Sequence, residues 1–255
     1  PILYAFLAGS DGRYGTAVNS NVGYLSGPGQ FGDLNGDGKV DLVTLTTATN
    51  EVNALLGRGD GSFAAPLKST IDANGMQFVL GDFNNDGKLD VAVLGNGGKL
   101  SIRLGRGDGT FSGTTVLTVD PRVQTLDRGD VNGDGKVDLV IGMGVQWAPM
   151  GPPLPGAAWL LPGGGDGTFG AARSLNLAPL QGAEVVRVLD ADKDGKLDVL
   201  AGSYSTGTMM TVLYGRGGGA FFEDAQLPAA ATALAQADLN ADGKADVVAI
   251  SVGSN

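Results

Sequence analysis

Five copies of one aspartate-rich loop recur along this chain of 255 residues. Each copy has the pattern D-x-[ND]-x-D-G-K-x-D, which brings four oxygen-bearing side chains onto one turn, at positions 1, 3, 5 and 9. We call these segments the acidic loops, numbered first to fifth; they are residues 33–41, 82–90, 130–138, 190–198 and 238–246. Oxygen-only coordination by several carboxylates suits Ca²⁺ better than a transition metal. The sequence therefore predicts about five calcium sites.

The predicted ligands are those four side chains and the carbonyl of the lysine at position 7, whose charged head is expected to point to solvent. The glycine at position 6 lets the backbone turn sharply. The predicted ligand residues are Asp33, Asn35, Asp37, Lys39 and Asp41; Asp82, Asn84, Asp86, Lys88 and Asp90; Asp130, Asn132, Asp134, Lys136 and Asp138; Asp190, Asp192, Asp194, Lys196 and Asp198; Asp238, Asn240, Asp242, Lys244 and Asp246. The alternative is a metal-free turn, because Asp, Asn and Gly also favour turns. Five copies with the same ligand positions favour the metal.

The residues after each loop exclude an EF-hand. That motif needs a bidentate glutamate at position 12, on a helix. Here position 12 is never glutamate, and the aspartate at position 9 leads directly into an apolar run that predicts a strand. The position 12 residues are Thr44, Val93, Ile141, Ala201 and Ala249. The loops are therefore expected to join strands.

The charge of the chain is concentrated in these loops, which hold 16 of its 27 acidic residues. Five bound Ca²⁺ ions would bring the net charge of −10 to about zero. The sequence contains no cluster of Lys or Arg residues, so no nucleic acid partner is expected. No apolar run approaches 18 residues, so no membrane insertion is expected.

A glycine-rich turn alternates with each acidic loop, and the two define a repeat of about 50 residues. The glycine turns are residues 8–14, 56–63, 104–111, 162–169 and 214–221. Four short antiparallel strands in each repeat are typical of one propeller blade. The predicted fold is all-β, a single propeller domain over residues 1–255 with five blades of four strands. The aromatic residue that ends each glycine turn is expected to lie in the core between blades.

The repeat continues across the ends of the chain. The acidic loops begin 49, 48, 60 and 48 residues apart, and counting from Asp238 through the termini to Asp33 gives 50. The last blade is therefore expected to close the ring by pairing residues 1–21 with about 229–255, which would remove exposed sheet edges. The alternative is a fragment of a larger propeller, cut after a whole number of repeats.

These loops, each after a Gly-Asp, Ala-Asp or similar step, resemble the FG-GAP or VCBS repeats of integrin α-subunit propellers and of many bacterial surface proteins and lectins. The resemblance covers nearly the whole chain and implies a β-propeller with Ca²⁺ in the loop that joins the first two strands of each blade. Family members commonly have seven blades, so five is a departure.

The third repeat carries an insertion at residues 145–156, rich in proline and containing Trp147, with Trp159 just after it. This segment is predicted to join the second and third strands. It can supply a ligand contact through Trp147 or Trp159, or it can cap the channel or a blade edge; both interpretations stay open.

Two Arg-Gly-Asp tripeptides, at residues 58–60 and 106–108, fall in the glycine turns. Other turns vary the same letters, which favours turn geometry over integrin recognition. Histidine and cysteine are absent, so a histidine base and a thiol nucleophile are excluded, and no enzyme is expected.

The predicted function is a calcium-binding module for adhesion or for a carbohydrate or protein ligand, secreted or on the cell surface, where calcium is plentiful. The alternatives are a self-assembling surface protein and a domain of a polysaccharide-active enzyme.

Overall fold

The computed structural model describes residues 2–22, 29–46, 48–72, 74–146, 154–177, 182–203, 209–227 and 231–250. Every pairing between its strands is antiparallel. The chain divides into two compact units, Pro1–Thr118 and Val119–Asn255.

The first unit contains a two-stranded sheet followed by two complete sheets of four strands. The two-stranded sheet is β1 (Ile2–Ala5) and β2 (Val18–Asn21). The first complete sheet is β3 (Gly29–Gly32), β4 (Asp41–Thr46), β5 (Glu51–Leu55) and β6 (Leu67–Thr70). The second is β7 (Gly75–Gly81), β8 (Asp90–Gly95), β9 (Lys99–Gly105) and β10 (Phe111–Thr118), with a 3₁₀ turn at Asn96–Gly98.

The second unit contains two more complete sheets and ends in a two-stranded sheet. The third complete sheet is β11 (Val123–Gly129), β12 (Asp138–Met143), β13 (Ala157–Leu161) and β14 (Arg173–Ser174). The fourth is β15 (Val185–Leu189), β16 (Asp198–Gly202), β17 (Met210–Gly215) and β18 (Phe221–Leu227). The last sheet is β19 (Ala233–Ala237) and β20 (Asp246–Ile250).

The predicted repeat unit is confirmed in the four complete sheets. In each of them the strands pair in chain order. An acidic loop joins the first strand to the second, and a glycine turn joins the third to the fourth. In all five repeats the position 9 aspartate is the first residue of the strand that follows the acidic loop. These strands are β4, β8, β12, β16 and β20. Closure of a fifth blade and the single domain stay predictions, because β1–β2 and β19–β20 are each described as separate two-stranded sheets.

The second strand of each complete sheet lies at the centre of the core. β4, β8 and β12 are buried at every residue, which means that both of their faces are covered. In the first unit Val43, Leu45, Phe78 and Val91 pack in one cluster. In the second unit a comparable cluster includes Val140, Leu160, Val186 and Val199. The described residues include no helix long and apolar enough to cross a membrane.

Polar side chains on the first strands tie neighbouring sheets together within each unit. Gln30 on β3 donates through Nε2 to the Phe78 carbonyl at 2.5 Å. In the second unit Asp127 on β11 accepts from the Val188 N–H at 3.0 Å. These bonds set the register between adjacent first strands.

The aromatic residues that end the glycine turns are less uniform than expected. Phe111 is buried, and Phe63, Phe169 and Phe221 are partly buried. Tyr14 is 74% exposed. It ends the turn that joins β1 to β2. At the equivalent position Phe63 donates its N–H to the Ser20 hydroxyl on β2, and Phe111 donates its N–H to the Ser69 hydroxyl on β6.

Candidate metal centres

The position 1 aspartate organises each acidic loop from inside. In the first loop Asp33 accepts hydrogen bonds from the N–H of Gly36 and the N–H of Gly38, both at 2.8 Å. The bond from the position 6 glycine recurs in all five loops at 2.8–3.1 Å. The backbone therefore wraps around this carboxylate.

At positions 3 and 5 the side-chain oxygen accepts the backbone N–H of the residue two positions further on. The side-chain oxygen at position 3 accepts the position 5 N–H at 2.8–3.1 Å in every loop. The carboxylate at position 5 accepts the position 7 N–H at 2.7–3.0 Å. Position 4 takes a positive φ in each loop, at Gly36, Asn85, Gly133, Lys193 and Ala241. Short Asp and Asn side chains make such turns readily, so the sequence encodes this conformation locally.

The fourth loop shows that these turns bring carboxylates together. Oxygen atoms of Asp190, Asp192 and Asp194 all lie within 4.8 Å of one another. The Oδ1 atom of Asp190 is buried and has no hydrogen-bond partner. A buried carboxylate oxygen normally has a partner, because leaving it unpaired is costly. The donors present, all of them hard oxygens, fit Ca²⁺.

The position 9 aspartates of the four complete sheets are buried and hold two segments together. Asp41, Asp90, Asp138 and Asp198 are at most 1% exposed. In each, Oδ2 accepts the N–H of loop position 2 at 2.7–3.0 Å. Oδ1 accepts the N–H of a glycine in the facing turn at 2.7–2.8 Å. These carboxylates clamp the acidic loop to the glycine turn, and Asp198 is not in the cluster of three.

Burial has an electrostatic consequence for this clamp. The pKa of the Asp90, Asp138 and Asp198 carboxyls is raised, first because burial penalises the charged form. The hydrogen bonds from the glycine turn oppose the rise. A ligand role for position 9 stays a prediction. At Asp138 both oxygens already accept a second hydrogen bond, Oδ2 from the Asn132 N–H at 3.1 Å and Oδ1 from the Asn132 side-chain amide at 3.3 Å.

The glycine that meets this clamp has no room for a side chain. A Cβ on Gly57 would lie 2.1 Å from the Val40 carbonyl oxygen. Gly105, Gly163 and Gly215 approach the corresponding carbonyls equally closely, at 2.1–2.3 Å. This contact was not predicted from the sequence, although a glycine at the same turn position in four repeats is a signal for it. The N-terminal turn has Ala8 there.

Three of the position 7 lysines combine an exposed side chain with a salt bridge to the position 5 carboxylate. Lys39 pairs with Asp37 at 3.0 Å and Lys88 with Asp86 at 3.4 Å. Lys196 pairs with Asp194 in the same way. Four of these lysines lie close to the fourth residue of the facing turn, at Gly59, Gly107, Gly165 and Gly217. The lysine thus forms a second bridge between loop and turn.

The family assignment rests on the repeats themselves. A family model described as FG-GAP-like repeat matches residues 33–93, 82–141, 130–201 and 190–249. The chain belongs to the FG-GAP-like repeat family. No curated protein sequence matches it.

Solved structures share the fold of this FG-GAP-like repeat chain at low identity. An Agrocybe aegerita lectin, studied for specific recognition of non-reducing terminal N-acetylglucosamine, matches with a TM-score of 0.63 and 21% identity over 96% of this chain and 69% of its own. The Photorhabdus luminescens Tc holotoxin pore matches with a TM-score of 0.51 and 20% identity, over 97% of this chain and 12% of the toxin chain. BBS1N in complex with ARL6DN matches with a TM-score of 0.52 and 12% identity, over 83% of this chain and 59% of the matched chain. Repeat family and likeness together support an FG-GAP repeat β-propeller.

The tryptophan candidates are only partly placed. Trp147 lies outside the described residues. Trp159 lies on β13, is partly buried and pairs in register with Ile141 and Ser174. The insertion is closed at its base, where Gln146 and Leu154 exchange two backbone hydrogen bonds of 3.0 and 2.9 Å.

The two Arg-Gly-Asp tripeptides behave as turn elements in this FG-GAP-like repeat chain. The Oδ1 atom of Asp60 accepts hydrogen bonds from the Ser62 N–H at 2.9 Å and the Ser62 hydroxyl at 2.6 Å. Asp108 holds Thr110 in the same way. Because both aspartates stabilise their own turn, the geometry supports the structural interpretation.

Proposed function

We propose that this chain is a calcium-stabilised, non-enzymatic binding or adhesion module, secreted or on the cell surface, with a carbohydrate or protein ligand. The carrying observation is the unpartnered buried Oδ1 of Asp190 inside a cluster of three carboxylates. The same turn recurs in the other four loops, with asparagine at position 3. Side chains at positions 1, 3 and 5 would hold the ion, which would offset the repulsion between carboxylates.

We also infer that a fifth blade forms from β1–β2 and β19–β20. An apolar groove of about 570 Å³ runs beside β1 in the first unit, lined among others by Tyr4, Phe6, Phe31 and Val40. Phe31 is 67% exposed, whereas Leu80, the equivalent residue of the next repeat, is 1% exposed. In the next repeat the equivalent space beside Leu80 is filled by the preceding sheet: Gly32, at the end of β3 and next to the first acidic loop, lies against Leu80 and Leu89. The strands β19 and β20 likewise flank an acidic loop, which supports closure.

Ligand selectivity is assigned to the variable connections at the strand ends away from the acidic loops. These are residues 23–29, 72–75, 120–122, 147–156 and 203–208. Acidic loops and glycine turns are too uniform to distinguish ligands, whereas variable loops on a repeated scaffold commonly carry specificity. The likeness to a lectin of known sugar recognition supports a carbohydrate as the first ligand class to test.

The carboxylates outside the loops support a non-enzymatic role, because several already have structural partners. Asp72 pairs with Arg103 at 3.1 Å, and Glu51 pairs with Lys68 at 3.0 Å. Asp120 pairs with Arg122 at 2.8 Å, and this contact lowers the Asp120 pKa. A general acid or base must instead be available to a substrate.

The test is a glycan array on the full chain, with calcium and with EDTA. Calcium-dependent binding to a defined glycan is the expected result. Turnover of a polysaccharide would overturn the non-enzymatic assignment. Light scattering tests the alternative of self-assembly, for which the groove beside β1 would take β19–β20 of a second copy.

A further inference from the structure

Lys193 distinguishes the fourth acidic loop, and its charge lies at the neighbouring loop. It occupies position 4, where the other loops have glycine, asparagine or alanine. Its Nζ atom lies 2.8 Å from the place where a Cβ on Gly243 would stand. Gly243 is position 6 of the fifth loop, next to Asp242. Sequence position alone would have assigned this charge to the fourth loop.

The same pair of loops differs in carboxylate content. The fourth loop carries four carboxylates at its ligand positions, because Asp192 replaces the asparagine found in the others. It is also the loop with the unpartnered buried oxygen of Asp190. Calcium affinity rises with the charge of the ligand set and with the rigidity of the site. The charge of the ligand set favours the fourth loop, and the unpartnered oxygen of Asp190 is available to an ion.

The fifth loop is the least supported by its surroundings. Asp246 is only partly buried, unlike its four equivalents, and its Oδ2 accepts the Leu239 N–H at 2.8 Å. Leu239 is 64% exposed, whereas Leu34 at the same loop position is 4% exposed. A site held less firmly, with three carboxylates and an added ammonium, binds a divalent cation more weakly.

We propose that the five loops fill with calcium in order, the fourth first and the fifth last, with Lys193 weakening the fifth. This rests on the proposed calcium binding and adds its regulation. Over an intermediate range of calcium, four loops are filled while the loop between β19 and β20 is empty. Lys193 neutralises part of the fifth loop in that state, so the C-terminal sheet responds to the highest calcium concentrations.

The test is a calcium titration of the full chain by calorimetry, with hydrogen exchange to assign each step to a loop. Protection should appear first at residues 190–198 and last at 238–246. Lys193→Gln should tighten the last step roughly tenfold, and Asp192→Asn should weaken the first step roughly tenfold. Lys99→Gln, an exposed lysine on β9, is the matched control and should change neither step.

One further variant tests the effect of ligand charge in another loop. Asn35→Asp gives the first loop a fourth carboxylate and should raise its calcium affinity towards that of the fourth loop. Five equal sites, or a last step unchanged in Lys193→Gln, would overturn the order of filling and leave calcium binding intact. A chain that binds no calcium would overturn the order together with the proposed function.

Discussion

The Oδ1 atom of Asp198 accepts a hydrogen bond of 2.8 Å from the N–H of Gly215, 17 residues further along the chain. The other oxygen of Asp198 accepts the Ala191 N–H at 2.7 Å. One buried carboxylate therefore joins the start of an acidic loop to the glycine turn that faces it. The arrangement recurs in all four complete sheets, so within each sheet the proposed metal site is connected to the glycine turn that faces it.

Removal of calcium is expected to lower the melting temperature steeply. Each filled site contributes about 2.7 kcal/mol at a hundredfold excess over Kd. Five independent sites would contribute roughly 13 kcal/mol, comparable to the whole stability of a domain. Calorimetry with calcium and with EDTA measures the difference. An unchanged melt, or a metal content near zero by elemental analysis, would contradict calcium binding.

The clamp is expected to stabilise the fold even without metal. In Asp90→Asn, one accepting oxygen becomes an amide that faces the N–H of Phe83 or of Gly105. The loss of a buried acceptor should cost about 1–3 kcal/mol of unfolding free energy, measured by denaturation in EDTA. Asp246→Asn is the matched control, because Asp246 is only partly buried. Equal effects of the two variants would argue against the clamp.

The close approach of turn and loop makes a second stability prediction. Gly105→Ala would place a Cβ 2.1 Å from the Leu89 carbonyl oxygen, so it should destabilise the chain by about 1–3 kcal/mol or more. Gly15→Ala, whose Cβ would lie 3.7 Å from the nearest atom, should have little effect. Urea denaturation compares the two; a tolerated Gly105→Ala would show that the strands can separate freely.

Closure of the fifth blade is tested by a cysteine pair, since the natural chain has no cysteine. In the first complete sheet Val43 lies opposite Ala54. Carried over to the last repeat, this register places Val248 opposite Ala5. The double variant Ala5→Cys, Val248→Cys should form a disulfide within one chain, detected by mass spectrometry.

The control pair Ala5→Cys, Ala249→Cys should not close, because adjacent residues of a strand face opposite sides. Disulfides only between chains would indicate exchange between copies. Ala8 stands where complete repeats need glycine, so Ala8→Gly should raise the melting temperature if closure copies the other sheets.

Trp147→Ala is expected to weaken ligand binding by about 2 kcal/mol or more, as for a buried aromatic anchor, without changing the melting temperature. Trp159→Ala is the contrasting variant: Trp159 is partly buried on β13, so its loss should lower stability. Binding is measured with the glycan found on the array. A loss of several kcal/mol of stability in Trp147→Ala would make the insertion a structural cap.

Local patterns in the sequence were enough to predict the acidic loops, the glycine turns and the four-stranded repeat. Asp33 and Gly38 lie within one turn, and their hydrogen bond depends on nothing beyond the loop itself. The strand after each loop is encoded by an apolar run that follows the aspartate at position 9. Such features were predictable because the residues that make them are neighbours in sequence.

Contacts between distant segments were decided by the tertiary structure. The spacing of Asp198 and Gly215 does not reveal that they meet, because their approach depends on the register of β15, β16 and β17. The charge of Lys193 belongs to the fifth loop only because adjacent repeats pack side by side. The sequence by itself therefore determined which groups are present in each loop, while packing between strands and repeats decided which of them are buried, clamped or neutralised.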